Sequence, residues 1–191
     1  RTNNEKVANI DRKDCTMITF TKLGEYGRLG NQLYQYAALK GLAKSLDTEL
    51  KLPNFKSQHW HGQDCLLDNF NISCGFLEDS DTLDRTIAEP CAPGLYASSI
   101  QMSLEHITGN TDLIGYFQNT QYFSNVEEEI KEELSPKKSF LDDAKNYIDS
   151  IRQPKEKIVS IHLRRGDNTD GTNPETNMYS DTNIFDETTI F

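Results

Sequence analysis

The fold is decided by residues 17–46, which read MITFTKLGEYGRLGNQLYQYAALKGLAKSL. The first four residues, 17–20, form a short apolar run typical of a buried strand, and a turn with Gly27 and Gly30 follows. Beyond the turn, residues recur at three- and four-residue steps, which predicts a helix ending near Leu46 with one mostly apolar stripe: Gln32, Tyr36, Leu39, Ala43 and Leu46. A strand, a glycine-rich turn and a helix together resemble the first unit of a nucleotide-binding α/β fold, where N–H groups at the helix start can meet a phosphate.

Further strands and helices alternate along the chain. Strands are predicted at Glu49–Leu52 and at residues 113–117, with an irregular stretch between them as far as about residue 94. Ser124 and Glu127 predict a capping box for a helix that runs to Leu134. A second helix is predicted over residues 140–151. The inward side chains of these two helices would be Val126, Ile130 and Leu134, and then Phe140, Ala144, Tyr147 and Ile151. This alternation indicates an α/β fold with a parallel sheet.

A second informative stretch is IVSIHLRRGD, residues 158–167. It predicts a strand that ends on Arg164 and Arg165, at the sheet edge where open α/β folds bind ligands. The planar guanidinium donates hydrogen bonds in pairs and suits phosphate oxygens, so the segment predicts a phosphate site. Two alternatives remain open on these residues alone, namely solvated surface arginines and an adhesion tripeptide at residues 165–167.

Four motifs in order resemble the alpha-1,2-fucosyltransferases of glycosyltransferase family 11. They are GRLGNQLYQYA at residues 27–37, LDNFNI at 67–72, LIGYFQNTQYF at 113–123 and HLRRGD at 162–167. The resemblance implies a GT-B-like architecture, in which a Rossmann-like N-terminal half with a parallel sheet faces a donor-binding half. It also implies inverting, metal-independent transfer of fucose from GDP-fucose to the 2-hydroxyl of a galactoside. The substrates would be GDP-fucose and a galactose-terminated glycan, with no cofactor and no metal.

The resemblance also implies roles for residues in the later motif. Arg164 would line the donor site, and Arg165 would contact the diphosphate as a catalytic residue. His162 would lie near the nucleotide, and Asp167 would orient the arginines or the loop. A fixed cation there would stabilise the negative charge that grows on the leaving phosphate.

The early motif would face the same cleft. The turn that contains Gly27 and Gly30 would bring Arg28 and Asn31 toward the donor phosphates, with Asn31 as a second catalytic residue. A merely structural alternative is that Asn31 caps the helix. No spacing among the acidic residues selects the base that an inverting transfer needs.

The domain organisation is predicted from composition along the chain. Residues 1–14 are polar and are predicted to be disordered. Residues 15–154 would form the acceptor-side domain, and residues 155–191 would begin the donor-binding domain and end in a polar tail. We therefore expect a truncated chain that does not transfer fucose by itself. The alternative function is a non-catalytic α/β module that retains a phosphate or glycan site.

Composition excludes some functions and leaves others open. The net charge of −10 argues against a nucleic-acid partner. No apolar run is long enough to cross a membrane, so membrane attachment would depend on an anchor outside this chain. The compartment is left open between the Golgi lumen or membrane in a eukaryote and the cytoplasm in a bacterium, and the resemblance implies a role in carbohydrate metabolism or protein glycosylation.

Some smaller features allow more than one interpretation. The four cysteines, Cys15, Cys65, Cys74 and Cys91, have no zinc-type spacing and are compatible with disulfides or with free thiols. A metal site at His59, His61 and Cys65 is less favoured than an exposed polar loop. Asn71 is either a glycosylation acceptor or a packing residue.

Overall fold

The computed structural model describes residues 16–55, 59–60, 63–90, 102–153 and 157–159, with backbone alone at 59–60 and 63–64. The predicted disordered segment at residues 1–14 therefore lies outside the described residues. The later motif, with His162, Arg164, Arg165 and Asp167, also lies outside them, as does the polar tail. For these segments the sequence-based expectations stay predictions.

Five strands form one sheet in which every neighbouring pair is parallel. The strands of the described chain are β1 (Met17–Thr19), β2 (Glu49–Leu52), β3 (His59–Trp60), β4 (Gln63–Asp64), β5 (Gly75–Phe76), β6 (Arg85–Ala88) and β7 (Thr111–Ile114). The sheet order is β5-β2-β1-β7-β6, and β3 pairs with β4 as a separate antiparallel hairpin. The predicted α/β class and parallel sheet are confirmed, whereas the two-domain GT-B arrangement stays a prediction.

The strand predictions are confirmed where apolar residues are buried. β1 and β2 lie at the predicted positions, and β7 begins two residues earlier than predicted and ends at Ile114, before Gly115. The stretch predicted to be irregular contains β3, β4, β5 and β6, so that prediction is wrong there. β6 is mostly exposed, with Arg85 and Thr86 on its surface, and an edge strand of this kind shows no apolar alternation.

Helix α1 (Leu29–Leu46) is the centre of the core. All five residues of the predicted stripe are buried, and so are Gln35, Ala37, Ala38, Gly41 and Leu42. The helix is covered on most of its circumference because the sheet packs on one side and the 3-10 helix Thr120–Val126 on another. A Cβ at Gly41 would lie 2.0 Å from the carbonyl oxygen of Tyr122, so only glycine allows this close approach.

The two later helices were predicted correctly in position but not in every detail. Helix α2 (Glu127–Glu133) buries Ile130, and Val126 before it is buried, as predicted. The capping box is wrong: Val126 is the N-cap residue, and the Ser124 hydroxyl donates to the carbonyl oxygen of Gln121 instead.

Helix α3 (Lys138–Ile151) has no buried residue. Its predicted inward side chains Phe140, Ala144, Tyr147 and Ile151 are all exposed, so the prediction of their burial is wrong. The amphipathic pattern predicted the helix, but the described residues do not cover its apolar face.

The chain divides into two compact units, Arg1–Lys145 and Asn146–Phe191. The first unit contains the sheet, α1 and α2. Residues 157–159, in the second unit, include the start of the strand predicted before Arg164, but Ile158 and Val159 have no regular secondary structure and Val159 is 79% exposed. No helix in the described parts of the chain has the length and apolar character to span a bilayer.

Candidate functional site

The sheet order creates a switch point between β1 and β7. From β1 the chain passes through α1 to β2 on one side, while β7 pairs with the other side of β1. The loops that leave the carboxyl ends of two such strands diverge, and open α/β sheets bind ligands in the crevice between them. The loop after β1 leads into the early motif, and the loop after β7 carries the Gly-Tyr-Phe-Gln segment, residues 115–118. Two of the four sequence motifs therefore meet at this edge.

A direct side-chain contact joins the two loops. The amide nitrogen of Gln118 donates a hydrogen bond to Oδ1 of Asn31 over 2.5 Å. Asn31 is the third residue of α1, and the N-cap position belongs to Arg28, which makes no capping hydrogen bond through its side chain. The alternative in which Asn31 caps the helix is therefore wrong. Asn31 is instead one half of an amide pair at the mouth of the crevice.

The early turn leads directly into the N-terminus of α1. Gly27 has φ +85°, and a Cβ there would lie 1.7 Å from Nδ2 of Asn31, so the residue has to be glycine. Gly30 is exposed, and no atom of the described residues lies within 4 Å of an added Cβ. Arg28 is exposed, and the first turn of α1 contains no acidic residue. An exposed guanidinium beside a helix start without carboxylates favours an anion.

Side-chain hydrogen bonds join the loop after β1 to β7 and to the loop after β7. The side-chain amide of Gln35, which is fully buried, donates to the carbonyl oxygens of Tyr26 (2.9 Å) and Gly115 (3.1 Å). The buried carboxylate of Asp112 accepts from the backbone N–H and the hydroxyl of Thr21, at 2.8 and 2.7 Å. Because both contacts link the loop after β1 to β7 or its loop, the edge of the crevice is held in one conformation.

Other polar residues of the early motif have structural roles. Oε1 of Gln32 accepts from the backbone N–H of Leu66 at 2.9 Å. The hydroxyl of Tyr36 hydrogen-bonds to Glu133, which also pairs with Lys40 at 2.8 Å. Burial, and then the hydrogen bond to the Glu133 carboxylate, raise the pKa of Tyr36 far above its usual value. These residues hold α1 in place and do not line the crevice loops.

Glu89 is a site residue that the sequence reasoning missed. It follows β6, and its Oε2 accepts hydrogen bonds from the backbone N–H groups of Tyr116 (3.0 Å) and Phe117 (2.7 Å). Phe117 has φ +51°, so these N–H groups form a small anion-binding turn that the carboxylate occupies. A Cβ at Gly115 would lie 2.5 Å from that of Glu89, which explains the glycine. The sequence signal was only an acidic residue after an exposed strand, which is too common to select one.

Two tyrosine rings lie on the same loops. Tyr26 and Tyr116 meet edge to face, with ring centroids 5.9 Å apart and planes at 82°. Both rings are partly exposed, whereas Phe117 is fully buried against Phe20 and Tyr122. The crevice edge therefore combines a cationic corner at Arg28, an amide pair and an aromatic pair.

The structure describes only some of the residues for which a metal site or a cysteine state was predicted. His61 and the side chain of His59 lie outside them, as do Cys15 and Cys91. Within the part of the chain that the structure describes, no group of three His, Cys, Asp or Glu side chains is placed to hold a metal. Cys65 and Cys74 are free thiols. Asn71 is exposed, and its side-chain nitrogen donates to the carbonyl oxygen of Ser135 at 3.1 Å, so both interpretations of Asn71 stay predictions.

A shallow cavity lies at the opposite edge of the sheet, beside the end of α1. Its volume is about 330 Å³, and Lys40, Asp47, Ser73 and Cys74 are among the residues that line it. Burial raises the pKa of the Cys74 thiol to about 11, so the thiol is protonated near neutral pH. This cavity shares no described residue with the crevice.

Comparison with known proteins gives one informative match. The chain is 32% identical to the alpha-1,2-colitosyltransferase of Escherichia coli in an alignment of 160 positions that covers 74% of this chain and 52% of that protein. This similarity supports the classification of the chain as a glycosyltransferase. The chain spans about half the length of the colitosyltransferase. No family model matches the chain, and no solved structure matches it.

Proposed function

We propose that this protein is a glycosyltransferase of the alpha-1,2-fucosyltransferase type, which transfers fucose from GDP-fucose to the 2-hydroxyl of a galactoside. The observation that carries the proposal is the hydrogen bond between Asn31 and Gln118 at the β1/β7 switch point. It joins two sequence motifs that resemble the same family and lie 87 residues apart. The similarity to an alpha-1,2-colitosyltransferase supports the same class of reaction.

The side of the crevice edge at Arg28 and the N-terminus of α1 suits a diphosphate. Arg28 is exposed beside the first N–H groups of α1, and the helix has no acidic residue in its first turn. In the proposed reaction the acceptor hydroxyl gives its proton to a base, and its oxygen bonds to the anomeric carbon as the bond from that carbon to the phosphate oxygen breaks. The electron pair leaves on the phosphate, so donors fixed near that oxygen lower the barrier. Arg28 and, in the later motif, Arg165 are the proposed donors.

The sugar of the donor is the finer part of the proposal. The E. coli protein is named for colitose, and colitose differs from fucose by the loss of one further hydroxyl. A site that hydrogen-bonds this hydroxyl would reject the deoxy sugar strongly, because its polar partners would be left unpaired. Fucose is proposed because the motif resemblance is to the fucosyltransferases.

The test is a transfer assay with the complete product of the gene. Purified protein is incubated with GDP-fucose and lactose, and GDP release and fucosyl-lactose are measured by mass spectrometry, with and without EDTA. We expect a 2-linked product in both conditions. Transfer from GDP-colitose with none from GDP-fucose would reject the proposed donor sugar. Folded protein that transfers neither sugar to any galactoside would reject the proposed function.

The donor-binding residues are tested by titration of GDP into variants. We expect Arg165→Ala to weaken GDP binding by about 2–4 kcal/mol and Arg164→Ala to weaken it less, because Arg165 is proposed to make the desolvated diphosphate contact. Arg165→Lys should not restore binding, since an ammonium group does not reproduce a two-pronged contact. Equal losses for the two alanine variants, measured by calorimetry, would contradict the assignment.

A further inference from the structure

Tyr26 and Tyr116 present an aromatic corner at the mouth of the crevice. Their rings meet edge to face at 5.9 Å, and both are partly exposed. Neither hydroxyl has a hydrogen-bond partner among the residues that the structure describes. Aromatic rings at a ligand crevice are normally covered or used, because exposed apolar surface at such an edge costs free energy.

The corner is held rigidly by its backbone. The N–H of Tyr116 donates to the Glu89 carboxylate at 3.0 Å, and the carbonyl oxygen of Tyr26 accepts from buried Gln35 at 2.9 Å. Phe20, which is fully buried, packs against the Tyr26 ring, and the two ring centroids are 6.0 Å apart. A preorganised surface of this kind loses little conformational entropy when a ligand binds.

Uncharged polar groups lie on the same two loops. In the described part of the chain, Nδ2 of Asn31 and Oε1 of Gln118 make no hydrogen bond, while the opposite ends of the two amides bond to each other. One amide therefore offers free donors and the other a free acceptor. Together with the rings they suit a neutral ligand that has both an apolar face and hydroxyl groups.

We propose that Tyr26 and Tyr116 form the subsite on which the galactose ring of the acceptor stacks, with Asn31 and Gln118 binding its hydroxyls. The proposal rests on the proposed function for the identity of the sugar. One face of galactose carries C–H groups, which are attracted to the negative face of an aromatic ring, and its hydroxyls lie around the rim. Guanine also stacks on tyrosine, but two rings at 82° form a corner and not the flat slot that encloses a base.

The subsite is tested by saturation-transfer NMR with lactose and the 191-residue chain, in the absence of any donor. We expect saturation to be strongest on H3, H4 and H5 of the galactose ring. Tyr116→Ala should weaken lactose binding about tenfold, and Tyr116→Phe should retain it because the ring remains. Tyr147→Ala is the matched control, since Tyr147 is a 66% exposed tyrosine of α3 with no ring contact in the described chain.

In the NMR experiment, any of three results would overturn the proposal: no saturation of lactose by the wild-type chain, equal loss in Tyr116→Ala and Tyr147→Ala, or Tyr116-dependent saturation of GDP without that of lactose. If Tyr116→Ala does not fold, Tyr116→Leu removes the ring and keeps apolar bulk. Tyr116-dependent lactose binding in a protein without transfer activity would reject the proposed function alone. Fucose transfer with an unchanged KM for lactose in Tyr116→Ala would reject the subsite alone.

Discussion

The side-chain amide of Gln118 donates a hydrogen bond to the side-chain oxygen of Asn31, and this contact closes the edge of the crevice between β1 and β7. Asn31 belongs to the first turn of α1, and Gln118 belongs to the loop after β7. The same two loops are tied below by Gln35 and are lined above by Tyr26 and Tyr116. The amide pair therefore lies within a rigid frame, which is the geometry expected of a binding edge.

Asn31→Ala should reduce transfer in the complete enzyme at least tenfold while lowering the free energy of unfolding by only about 1 kcal/mol, because one half-buried hydrogen bond is lost. Asn125→Ala is the matched control. The Asn125 amide bonds to Gly41 and Ser45, at 3.0 and 2.9 Å, away from the crevice loops. Its loss should lower stability and leave turnover per folded molecule unchanged. Initial rates and urea unfolding measure both quantities, and similar turnover in the two variants would contradict a role for Asn31 in the site.

Glu89→Ala should destabilise the first unit by about 1–3 kcal/mol, because two N–H groups in partly buried hydrogen bonds lose a charged acceptor and the turn at Phe117 has positive φ. Glu89→Gln keeps an acceptor oxygen and should lose less. Glu105→Ala is the control at an exposed glutamate, and should be within about 0.5 kcal/mol of wild type. Urea unfolding of the three variants measures the order of their stabilities. A loss in Glu89→Gln as large as that in Glu89→Ala would show that the charge matters more than the hydrogen bonds.

Gly41→Ala should lower stability by about 1–3 kcal/mol, although alanine is the better helix former, because the added Cβ would lie 2.0 Å from the Tyr122 carbonyl oxygen and 2.7 Å from Cα of Phe123. Gly30→Ala makes the same change in the first turn of α1, where a Cβ would have no atom of the described part of the chain within 4 Å. That variant should be as stable as wild type or gain up to about 1 kcal/mol. Thermal unfolding of both proteins measures the difference, and a stable Gly41→Ala variant would show that α1 and the 3-10 helix can separate at little cost.

Alkylation of Cys74 by iodoacetamide should be slow at neutral pH and accelerate about tenfold per pH unit up to about pH 10. The thiolate is the nucleophile, and burial raises the pKa of Cys74 to about 11, so the reactive fraction at pH 8 is about 0.1%. An ordinary thiol with a pKa of about 8.5 would instead approach its maximal rate near pH 9. Peptide mapping by mass spectrometry, with Cys74→Ser to assign the signal, gives the rate at each pH. A plateau between pH 8 and 9 would contradict the raised pKa.

Local patterns in the sequence predicted the elements that bury apolar residues. The strand at residues 17–20, the helix that ends at Leu46 and the strand Glu49–Leu52 were placed to within a residue, because periodic burial leaves a periodic sequence. β5 and β6 were missed since one is two residues long and the other is mostly exposed. The inward face predicted for α3 was wrong because periodicity shows that a helix has an apolar side but not what covers that side.

The sequence by itself determined the α/β class, the glycine turn before α1 and the residue types that suit a phosphate. Only the tertiary structure decided that β7 pairs beside β1, so that Gln118 reaches Asn31 across 87 residues. It alone showed that the Glu89 carboxylate organises the turn at Tyr116 and Phe117. The physical reason is that helices and strands are specified by neighbours a few positions away. Strand order and loop-to-loop hydrogen bonds depend instead on the packing of the whole sheet, which no local pattern encodes.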